Sequence, residues 1–554
     1  MNNNNKNGKV ITLGIILISC LILVICFSLI MNKSTKPKEA KTLEKLMENV
    51  SVREVPESER VKGNVNVTDT SLFDELPEIN KYPLVVEGNG QVDIEIFTSG
   101  EKASDGTDSW LIDVANSFNS SKYKLNDGKT VSMSVRSVTS GMGAEYIASG
   151  KYLPDLYTPS SELMGAYCES LGGKLTLAEK RTVGNTAGVL VKKGSKYKDL
   201  KSVLDKVSDG SFNLGYTNPQ TSATGLNLLL QILKDNGGVT DDNAVAYFKK
   251  FNSNIPFVAY TTQQMRDSAQ NGTLDGMVTE YQAYINDKNL TSLYEFIPFG
   301  VRHDNPLYIV KDSKKTADEK EAIQMISDYM LSDEMQEIAT KDGFNENDSY
   351  KSKLDVSSAE ISEALKTYKS TKDAGKDIIA VFVADCSGSM DGEPLQQLKE
   401  SLSNGMQYIN ENNKIGLVSY STDVTIELPI APFDFTQKAY FQGAVNGLSA
   451  GGGTSSYEAI CVALGMVNKA KEAEPNAKCM IFLLSDGYAN GKYYISDIRD
   501  AVEKASIPIY TIGYTDSADM NSMNALSNIC EAASINADED DIMYKIKSLF
   551  NSQL

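Results

Sequence analysis

The sequence predicts an α/β protein in which two globular domains follow one N-terminal transmembrane helix. Three observations predict this organisation: residues 10–31 form one apolar run, residues 92–342 alternate between strand-like and helix-like patterns, and a second alternation starts at Asp377. Alternating strands and helices are typical of layered folds with a mainly parallel sheet. The chain has 554 residues, which is also too long for one compact core.

The apolar run Val10–Met31 is the predicted membrane anchor. As a helix, its 22 residues span a hydrocarbon core of roughly 30 Å. A cleaved signal peptide is disfavoured, because its apolar region is usually about 7 to 15 residues long. A lipoprotein signal is the alternative, since Leu17–Cys20 resembles a lipobox, but the apolar residues 21–30 would then follow the modified cysteine.

The anchor predicts a single-pass protein of the cell membrane. We expect its C-terminal domains to be extracellular. The distribution of lysines favours the opposite orientation, because more of them follow the span (Lys33, Lys36, Lys38 and Lys41) than precede it (Lys6 and Lys9).

Composition excludes several classes of function. Acidic residues outnumber basic ones, 73 against 54, and the net charge of −19 repels nucleic acid. His303 is the one histidine, which weakens catalytic triads and multi-histidine zinc sites, and no nucleotide-binding loop occurs. We expect His303 in an exposed loop and the cysteines after the span as buried thiols. The sequence therefore predicts a binding protein and not an enzyme.

Changes in composition divide the chain into five parts. The predicted parts are an anchor (1–32), a charged tether (33–87), a middle α/β domain (88–345), a polar linker (346–375) and a C-terminal α/β domain (376–554). In the last part the nearly unbroken apolar run Asp377–Ala384 is typical of a central parallel strand buried on both faces.

Three polar loops follow strands of the C-terminal domain. Asp385-Cys386-Ser387-Gly388-Ser389 comes directly after the predicted central strand, and the other loops are Gly451-Gly452-Gly453-Thr454 and Leu484-Ser485-Asp486-Gly487. Because ligand sites of doubly wound sheets lie beyond the carboxyl ends of strands, we expect the loops to converge. Their carboxylate and hydroxyl oxygens are hard ligands that suit a divalent cation such as Mg²⁺.

These loops resemble those of the von Willebrand factor A family, and the likeness covers Lys376 to about Phe550. The resemblance implies a Rossmann-like doubly wound sheet and a metal-ion-dependent adhesion site that binds a protein partner through Mg²⁺ or Mn²⁺. The metal ligands that it implies are Asp385, Ser387, Ser389, Thr454 and Asp486. Neutral hydroxyl ligands would leave much of the metal's charge available to a partner's carboxylate.

The middle domain has hydroxyl-rich loops at the ends of its strands, among them Thr98-Ser99-Gly100 and Thr139-Ser140-Gly141. Hydroxyls and N–H groups at helix N-termini suit an anion, although Ser and Thr are also common helix caps. Residues 92–345 resemble bacterial extracellular solute-binding proteins of ABC importers, closest to the molybdate and sulfate branch. The resemblance implies a bilobal fold of the type II periplasmic binding proteins. The ligand-binding residues that it implies are Ser99, Ser140, Ser160, Ser222, Thr224 and Tyr281.

Together these features predict a membrane-anchored extracellular binding protein. Its C-terminal domain would bind a protein, and its middle domain would capture or sense a small ligand, an oxyanion being the expected class. Two alternatives remain open. One is the substrate-binding component of an ABC importer, and the other is a cytoplasm-facing scaffold in a stress or metal-resistance complex.

Overall fold

The structure is a computed structural model, and it describes residues 42–65, 76–255, 257–259, 265, 274–352, 354–371, 377–406, 409–486, 488–514, 518–530, 532 and 534–537. The predicted anchor Val10–Met31, the lipobox-like alternative and Gly487 lie outside these residues. Within the described ranges, no helix combines the length and the apolar composition needed to cross a bilayer.

The strands of the described ranges form three sheets. They are β1 (Val52–Glu54), β2 (Leu84–Val86), β3 (Val92–Thr98), β4 (Val131–Ser137), β5 (Leu156–Thr158), β6 (Leu175–Glu179), β7 (Asn185–Lys192), β8 (Leu214–Thr217), β9 (Phe257–Ala259), β10 (Gly276–Glu280), β11 (Tyr294–His303), β12 (Leu307–Val310), β13 (Ile378–Asp385), β14 (Lys414–Tyr420), β15 (Val424–Pro432), β16 (Lys478–Ser485), β17 (Ile509–Tyr514) and β18 (Ser534–Ala537). The sheet orders are β2-β4-β3-β5-β12-β6, β11-β7-β10-β8-β9 and β1-β15-β14-β13-β16-β17-β18.

The α-helices cover the faces of these sheets. They are α1 (Leu43–Met47), α2 (Trp110–Ser121), α3 (Ser140–Ser149), α4 (Glu162–Ser170), α5 (Leu200–Ser208), α6 (Ala223–Asp235), α7 (Asp242–Asn252), α8 (Tyr281–Asn286), α9 (Lys288–Leu293), α10 (Ala317–Met330), α11 (Asp333–Lys341), α12 (Ser358–Thr371), α13 (Glu393–Gly405), α14 (Phe435–Gly447), α15 (Ser456–Ala473), α16 (Ile495–Ala505) and α17 (Met520–Ser527).

The C-terminal sheet is built around β13, whose residues are all buried. Alternate side chains of a strand point to opposite faces, and those of β13 enter two different apolar clusters. β13 pairs in parallel with β14 and β16, so the predicted central strand is observed. The antiparallel pairing of β14 with β15 was not predicted. The carboxyl end of β13 therefore lies at one edge of a sheet whose two faces are both buried in apolar clusters.

Residues 42–65 of the expected charged tether fold onto the C-terminal domain. Strand β1 pairs in parallel with β15, with Val52 opposite Val424, and covers an edge of the sheet. Leu46 is 1% exposed and packs in the cluster formed by β13 and α15. The Tyr493 hydroxyl donates to Leu46 O at 2.7 Å. The sequence pattern did not reveal this docking, because α1 and β1 are too short to show a periodic apolar face.

The middle domain has two lobes, each built on its own sheet. The chain leaves the first lobe after β6, builds the second lobe from β7 to β11, and returns with β12. Both sheets contain parallel pairs and antiparallel edge strands, so they are more mixed than expected. Two connections between lobes are typical of a fold that opens and closes around a ligand.

The segment 346–375, expected as a polar linker, contains helix α12. Ile361, Ala364 and Tyr368 of this helix are fully buried in the apolar cluster of the middle domain. Polar residues on the solvent side of α12 hide this apolar face in the composition of the segment. The middle domain therefore lies between two parts of the C-terminal domain, residues 42–65 and residues from 377 onward.

Candidate functional site

The first candidate site lies where β13 ends. Asp385 is the last residue of β13, and a short 3₁₀ turn, Gly388–Met390, follows it. Asp385 Oδ1 accepts a hydrogen bond from Ser387 N at 2.8 Å. The other oxygen, Oδ2, accepts from Ser485 Oγ at 2.6 Å and from Tyr420 OH at 3.0 Å. The buried carboxylate is thereby held in one orientation, a role for Tyr420 and Ser485 that the sequence analysis missed.

Three further predicted metal ligands come together beside Asp385. Ser387 Oγ lies 3.1 Å from Ser389 Oγ, which donates to Asp486 Oδ1 at 3.0 Å. Burial raises the pKa of Asp486, the negative charge of Asp385 raises it further, and the hydrogen bond from Ser389 opposes both. Within the described part of the chain, neither carboxylate has a Lys, Arg or His partner. The cluster is therefore an electron-rich group of oxygens without a protein cation.

The glycine-rich loop is tied to the loop that follows β13. Gly451 N donates to Cys386 O at 2.9 Å, and Gly388 N donates to Gly452 O at 3.1 Å. Gly452 has φ +85°, a conformation that disfavours other residues. Thr454 is buried, with its N–H bonded to Asn490 Oδ1 at 2.7 Å. These backbone bonds hold Thr454 in a loop joined to the one that carries Ser387 and Ser389.

The donor set fits a hard divalent cation. It contains hydroxyl and carboxylate oxygens, the ligands that Mg²⁺ and Mn²⁺ prefer in proteins. Among the described residues, no group of three or more His, Cys, Asp or Glu side chains is placed to hold a metal. Three of the five positions here are hydroxyls, so this site is of a different kind. Cys386 is buried in an apolar cluster and adds no ligand.

The second candidate site is a cavity of about 180 Å³ between the lobes of the middle domain. Its lining includes Tyr82, Ser99, Gly100, Glu101, Ser137, Thr139, Ser140, Ser160, Thr221, Ser222 and Glu280. Four of the six predicted ligand-binding residues, namely Ser99, Ser140, Ser160 and Ser222, belong to this set. Pockets for drug-sized ligands have volumes of roughly 300–1,000 Å³, so this cavity suits a smaller molecule.

The lobes touch each other beside this cavity. Gly141 N donates to Thr221 O of the second lobe at 3.2 Å. A Cβ atom at position 141 would lie 2.2 Å from Gln220 O, so only glycine allows this approach. Gln282 of the second lobe donates to Thr107 O at 2.9 Å and to Asp108 Oδ1 at 2.8 Å in the first lobe. The structure therefore shows a closed arrangement of the two lobes.

Two predicted ligand-binding residues lie outside the cavity lining. Thr224 Oγ1 donates to Glu280 Oε1 at 3.1 Å, so Thr224 lies behind that carboxylate. Tyr281 is the first residue of α8 and not part of β10, and its ring packs edge-on against Phe296, 5.1 Å between centroids. A strand alternates its side chains between faces, and the chain turns into a helix at Tyr281. Glu280 takes the position in the cavity that the sequence analysis gave to Tyr281.

Charged residues around the cavity were also missed. Glu101 accepts a hydrogen bond from Ser99 Oγ, and Lys102 is 0% exposed beside it. Burial raises the pKa of Glu101, as does the charge of Glu280, while Lys102 lowers it. Burial also lowers the pKa of Lys102 to about 8, against the opposing effect of both carboxylates. The one available sequence signal was Glu101-Lys102 directly after a strand-end loop.

The expectation of an exposed loop histidine is wrong. His303 ends strand β11 and is 0% exposed. Its Nδ1 lies 2.8 Å from Glu280 Oε1, and Asn185 Nδ2 donates to Glu280 Oε2 at 2.8 Å. The polar neighbours of His303 in sequence suggested a surface loop, but one of them, Asn305, is also fully buried and accepts a hydrogen bond from Lys102 Nζ at 2.6 Å. His303 therefore orients Glu280 and does not face the cavity.

Comparisons with known proteins find both of the families that the sequence resembles. Residues 380–551 match the family model of the von Willebrand factor type A domain. Residues 103–345 match the family model of the bacterial extracellular solute-binding protein. The first match contains all five residues of the first candidate site, called the metal-type site from here on (Asp385, Ser387, Ser389, Thr454 and Asp486). The second match contains most of the residues that line the cavity.

Individual relatives match only part of the chain. It is 28% identical over 173 residues to inter-alpha-trypsin inhibitor heavy chain H3 from Bos taurus, which covers 29% of this chain and 19% of the relative. It is 27% identical over 176 residues to a von Willebrand factor A domain-containing protein of Dictyostelium discoideum, covering 31% and 18%. The chain thus spans about a fifth of the length of these curated relatives.

A solved structure resembles the chain over about half its length. A periplasmic thiamin binding protein has a TM-score of 0.39 at 14% identity, covering 52% of this chain and 99% of that protein.

Proposed function

The chain carries a bacterial extracellular solute-binding protein domain and a von Willebrand factor type A domain, and from this premise we propose that it is a membrane-anchored binding protein of the bacterial cell surface. The C-terminal domain binds a protein partner through Mg²⁺ or Mn²⁺, and the middle domain binds a small ligand. In this proposal neither domain changes its ligand chemically.

One observation carries the metal part of the proposal, namely the convergence of oxygen atoms from separate loops. Ser387 and Ser389 lie within hydrogen-bond distance of each other, and Ser389 bonds Asp486. Two buried carboxylates without a cationic partner are unfavourable unless a cation compensates them. A bound Mg²⁺ keeps several waters, and an acidic side chain of a partner protein can replace one of them.

Ser389 offers the clearest test, because its side chain is exposed and, among the residues that the structure describes, bonds only Ser387 and Asp486. Asp385 is less suitable, since its removal would strand the buried donors Tyr420 and Ser485. We expect Ser389→Ala to weaken Mn²⁺ binding to the full chain in detergent by roughly 10-fold or more, measured by titration calorimetry. Ser496→Ala, at an exposed serine of α16, is the matched control and should bind Mn²⁺ like the wild type.

The same variants test the link between metal and partner. Binding of a protein partner should fall in a chelator, return with Mg²⁺ or Mn²⁺, and be weaker for Ser389→Ala than for Ser496→Ala. Equal Mn²⁺ affinity of the two variants, or equal partner binding with and without chelator, would contradict the proposal.

The membrane part of the proposal rests on the apolar run Val10–Met31. A chain that lacks residues 1–41 should leave the membrane fraction without losing the described fold, because every described residue lies from Thr42 onward. Protease treatment of intact cells tests the orientation. Protection of the C-terminal domains would favour the cytoplasm-facing scaffold.

The position of the middle domain within the chain supports a sensing role over importer delivery. Both of its ends continue into the von Willebrand factor A domain, through residues 42–65 and through strand β13. In this proposal, movement of the lobes is transmitted to segments that belong to the metal-binding domain. An importer receptor does not require this connection. Neighbouring permease and ATPase genes would favour the importer alternative.

A further inference from the structure

The cavity between the lobes has a lining with negative charge. Glu101 follows β3 in the first lobe, and Glu280 ends β10 in the second lobe, so each lobe contributes one carboxylate. No Lys, Arg or His belongs to the lining among the described residues. The other polar lining groups are mainly serine and threonine hydroxyls, which carry no charge.

One buried ammonium lies nearby, but it is committed to other partners. Lys102 Nζ donates to Asn305 Oδ1 at 2.6 Å, to Thr158 O at 3.0 Å and to Ser99 Oγ at 3.3 Å. These bonds hold Lys102 behind the lining. A single positive charge also leaves one of the two carboxylates uncompensated.

The hydrogen bonds around His303 identify it as a neutral imidazole. Asn227 Oδ1 accepts from Val301 N at 2.8 Å and Asn227 Nδ2 donates to Val301 O at 2.7 Å, which fixes the orientation of the amide. Nδ2 also lies 3.2 Å from His303 Nε2, so this ring nitrogen accepts a hydrogen bond. The ring proton is then on Nδ1 and points to Glu280. His303 therefore supplies no positive charge to the cavity.

The closed arrangement of the lobes places both carboxylates on the lining of one cavity. Burial raises the pKa of Glu101 and the charge of Glu280 raises it further, as expected for two carboxylates that repel each other, while Lys102 lowers it. A cation between the carboxylates would replace this repulsion with attraction to both lobes. An oxyanion would add a third negative charge in a cavity without a basic side chain.

We propose that the cleft selects a small organic cation, with its ammonium group between Glu101 and Glu280, and rejects oxyanions. This inference rests on the proposed small-ligand function and names the ligand class. Hydroxyls of Ser140, Ser160 and Ser222 bind the polar remainder of the ligand. The volume of about 180 Å³ limits the ligand to a small molecule. The proposal replaces the oxyanion expected from the sequence.

Thermal melting and calorimetry of the full chain in detergent, in an amine-free buffer, test the ligand class. The cationic probes are ethanolamine, choline and putrescine, and the anionic probes are sulfate and molybdate. A ligand that binds only the folded state raises its melting temperature. We expect at least one amine to stabilise the protein and neither anion to do so.

Variants of the protein then distinguish a loss of charge recognition from a general loss of ligand binding. Glu101→Gln should weaken the amine at least tenfold, while Glu87→Gln, an exposed glutamate of the same lobe, should leave it unchanged. Gly141→Ala forces the lobes apart and should weaken any ligand of the cleft, whatever its charge.

Two other outcomes would contradict the proposal. Stabilisation by sulfate or molybdate, abolished by Gly141→Ala, with no effect of the amines, would overturn the cation inference and leave small-ligand binding standing. No stabilisation by either class would overturn both. If Glu101→Gln does not fold, the comparison of amines with anions on the wild-type chain still decides the ligand class.

Discussion

The metal-type site and the cleft between the lobes use similar side chains in different surroundings. Both lie at the carboxyl ends of strands, and both combine hydroxyls with two acidic side chains. In the first, all of the residues belong to one sheet and its loops. In the second, each lobe supplies one carboxylate, Glu101 or Glu280. The geometry of the metal-type site is therefore set within one domain. The geometry of the cleft depends on how the two lobes close.

The two sites should respond differently to a change in their surroundings. Asp385 is fixed by Tyr420 and Ser485 whether or not a partner is present. Contacts in the cleft, such as Gly141 with Thr221, exist only while the lobes touch. We expect the metal-type site to be preformed and the cleft to be coupled to domain motion.

The largest expected effect separates the stabilities of the two domains. Leu46→Ala removes a buried side chain from the cluster around β13 and should destabilise the C-terminal domain by roughly 2–5 kcal/mol. Hydrogen exchange of β13 measures the loss. The single tryptophan, Trp110, is buried in the middle domain, so its fluorescence reports the unfolding of that domain.

The tryptophan transition should stay at the wild-type denaturant concentration in Leu46→Ala. Lys45→Ala, at an exposed neighbour on the same helix, is the control for both measurements. An equal loss of stability in the two domains, or no loss of hydrogen-exchange protection in β13, would show that α1 does not stabilise the C-terminal domain selectively.

An intermediate effect is expected from pH at the cleft. Choline has a fixed charge, so a pH dependence of its binding reports protein groups. As pH falls, Glu101 gains a proton at a higher pH than an ordinary glutamate because its pKa is raised, and choline binding should weaken. As pH rises through about 8, Lys102 loses its proton and choline binding should strengthen.

Calorimetry between about pH 5 and about pH 9 measures both the acidic and the alkaline limb of the pH dependence of choline binding. The acidic limb should be smaller in Glu101→Gln, because Gln cannot gain the proton. Choline binding that stays constant over this range in the wild type would exclude Glu101 and Lys102 from the binding electrostatics.

The smallest expected effect concerns Tyr281. Its ring packs against Phe296 outside the cavity lining, so Tyr281→Phe should change the dissociation constant of a cleft ligand by less than about twofold. Titration calorimetry with the amine found in the probe panel measures it. A tenfold loss would mean that Tyr281 reaches the ligand in another arrangement of the lobes.

The α/β class, the two families and the loops of the metal-type site could be predicted from the amino-acid sequence. Those loops follow strands of one sheet, and short-range spacing such as Asp385-x-Ser387-x-Ser389 fixes which side chains share a turn. Four serines of the cleft were found for the same reason, because each stands at the end of a strand or the start of a helix.

The charge of the cleft, the position of His303 and the docking of residues 42–65 could not be predicted from the sequence and became known from the fold. Glu101 and Glu280 are far apart in the sequence. The residues that hydrogen-bond and orient Glu280, His303 and Asn185, lie on other strands. Leu46 packs against a sheet whose central strand begins more than 300 residues later in the sequence. Such contacts leave no local pattern, because burial and electrostatic pairing act through space and not along the chain.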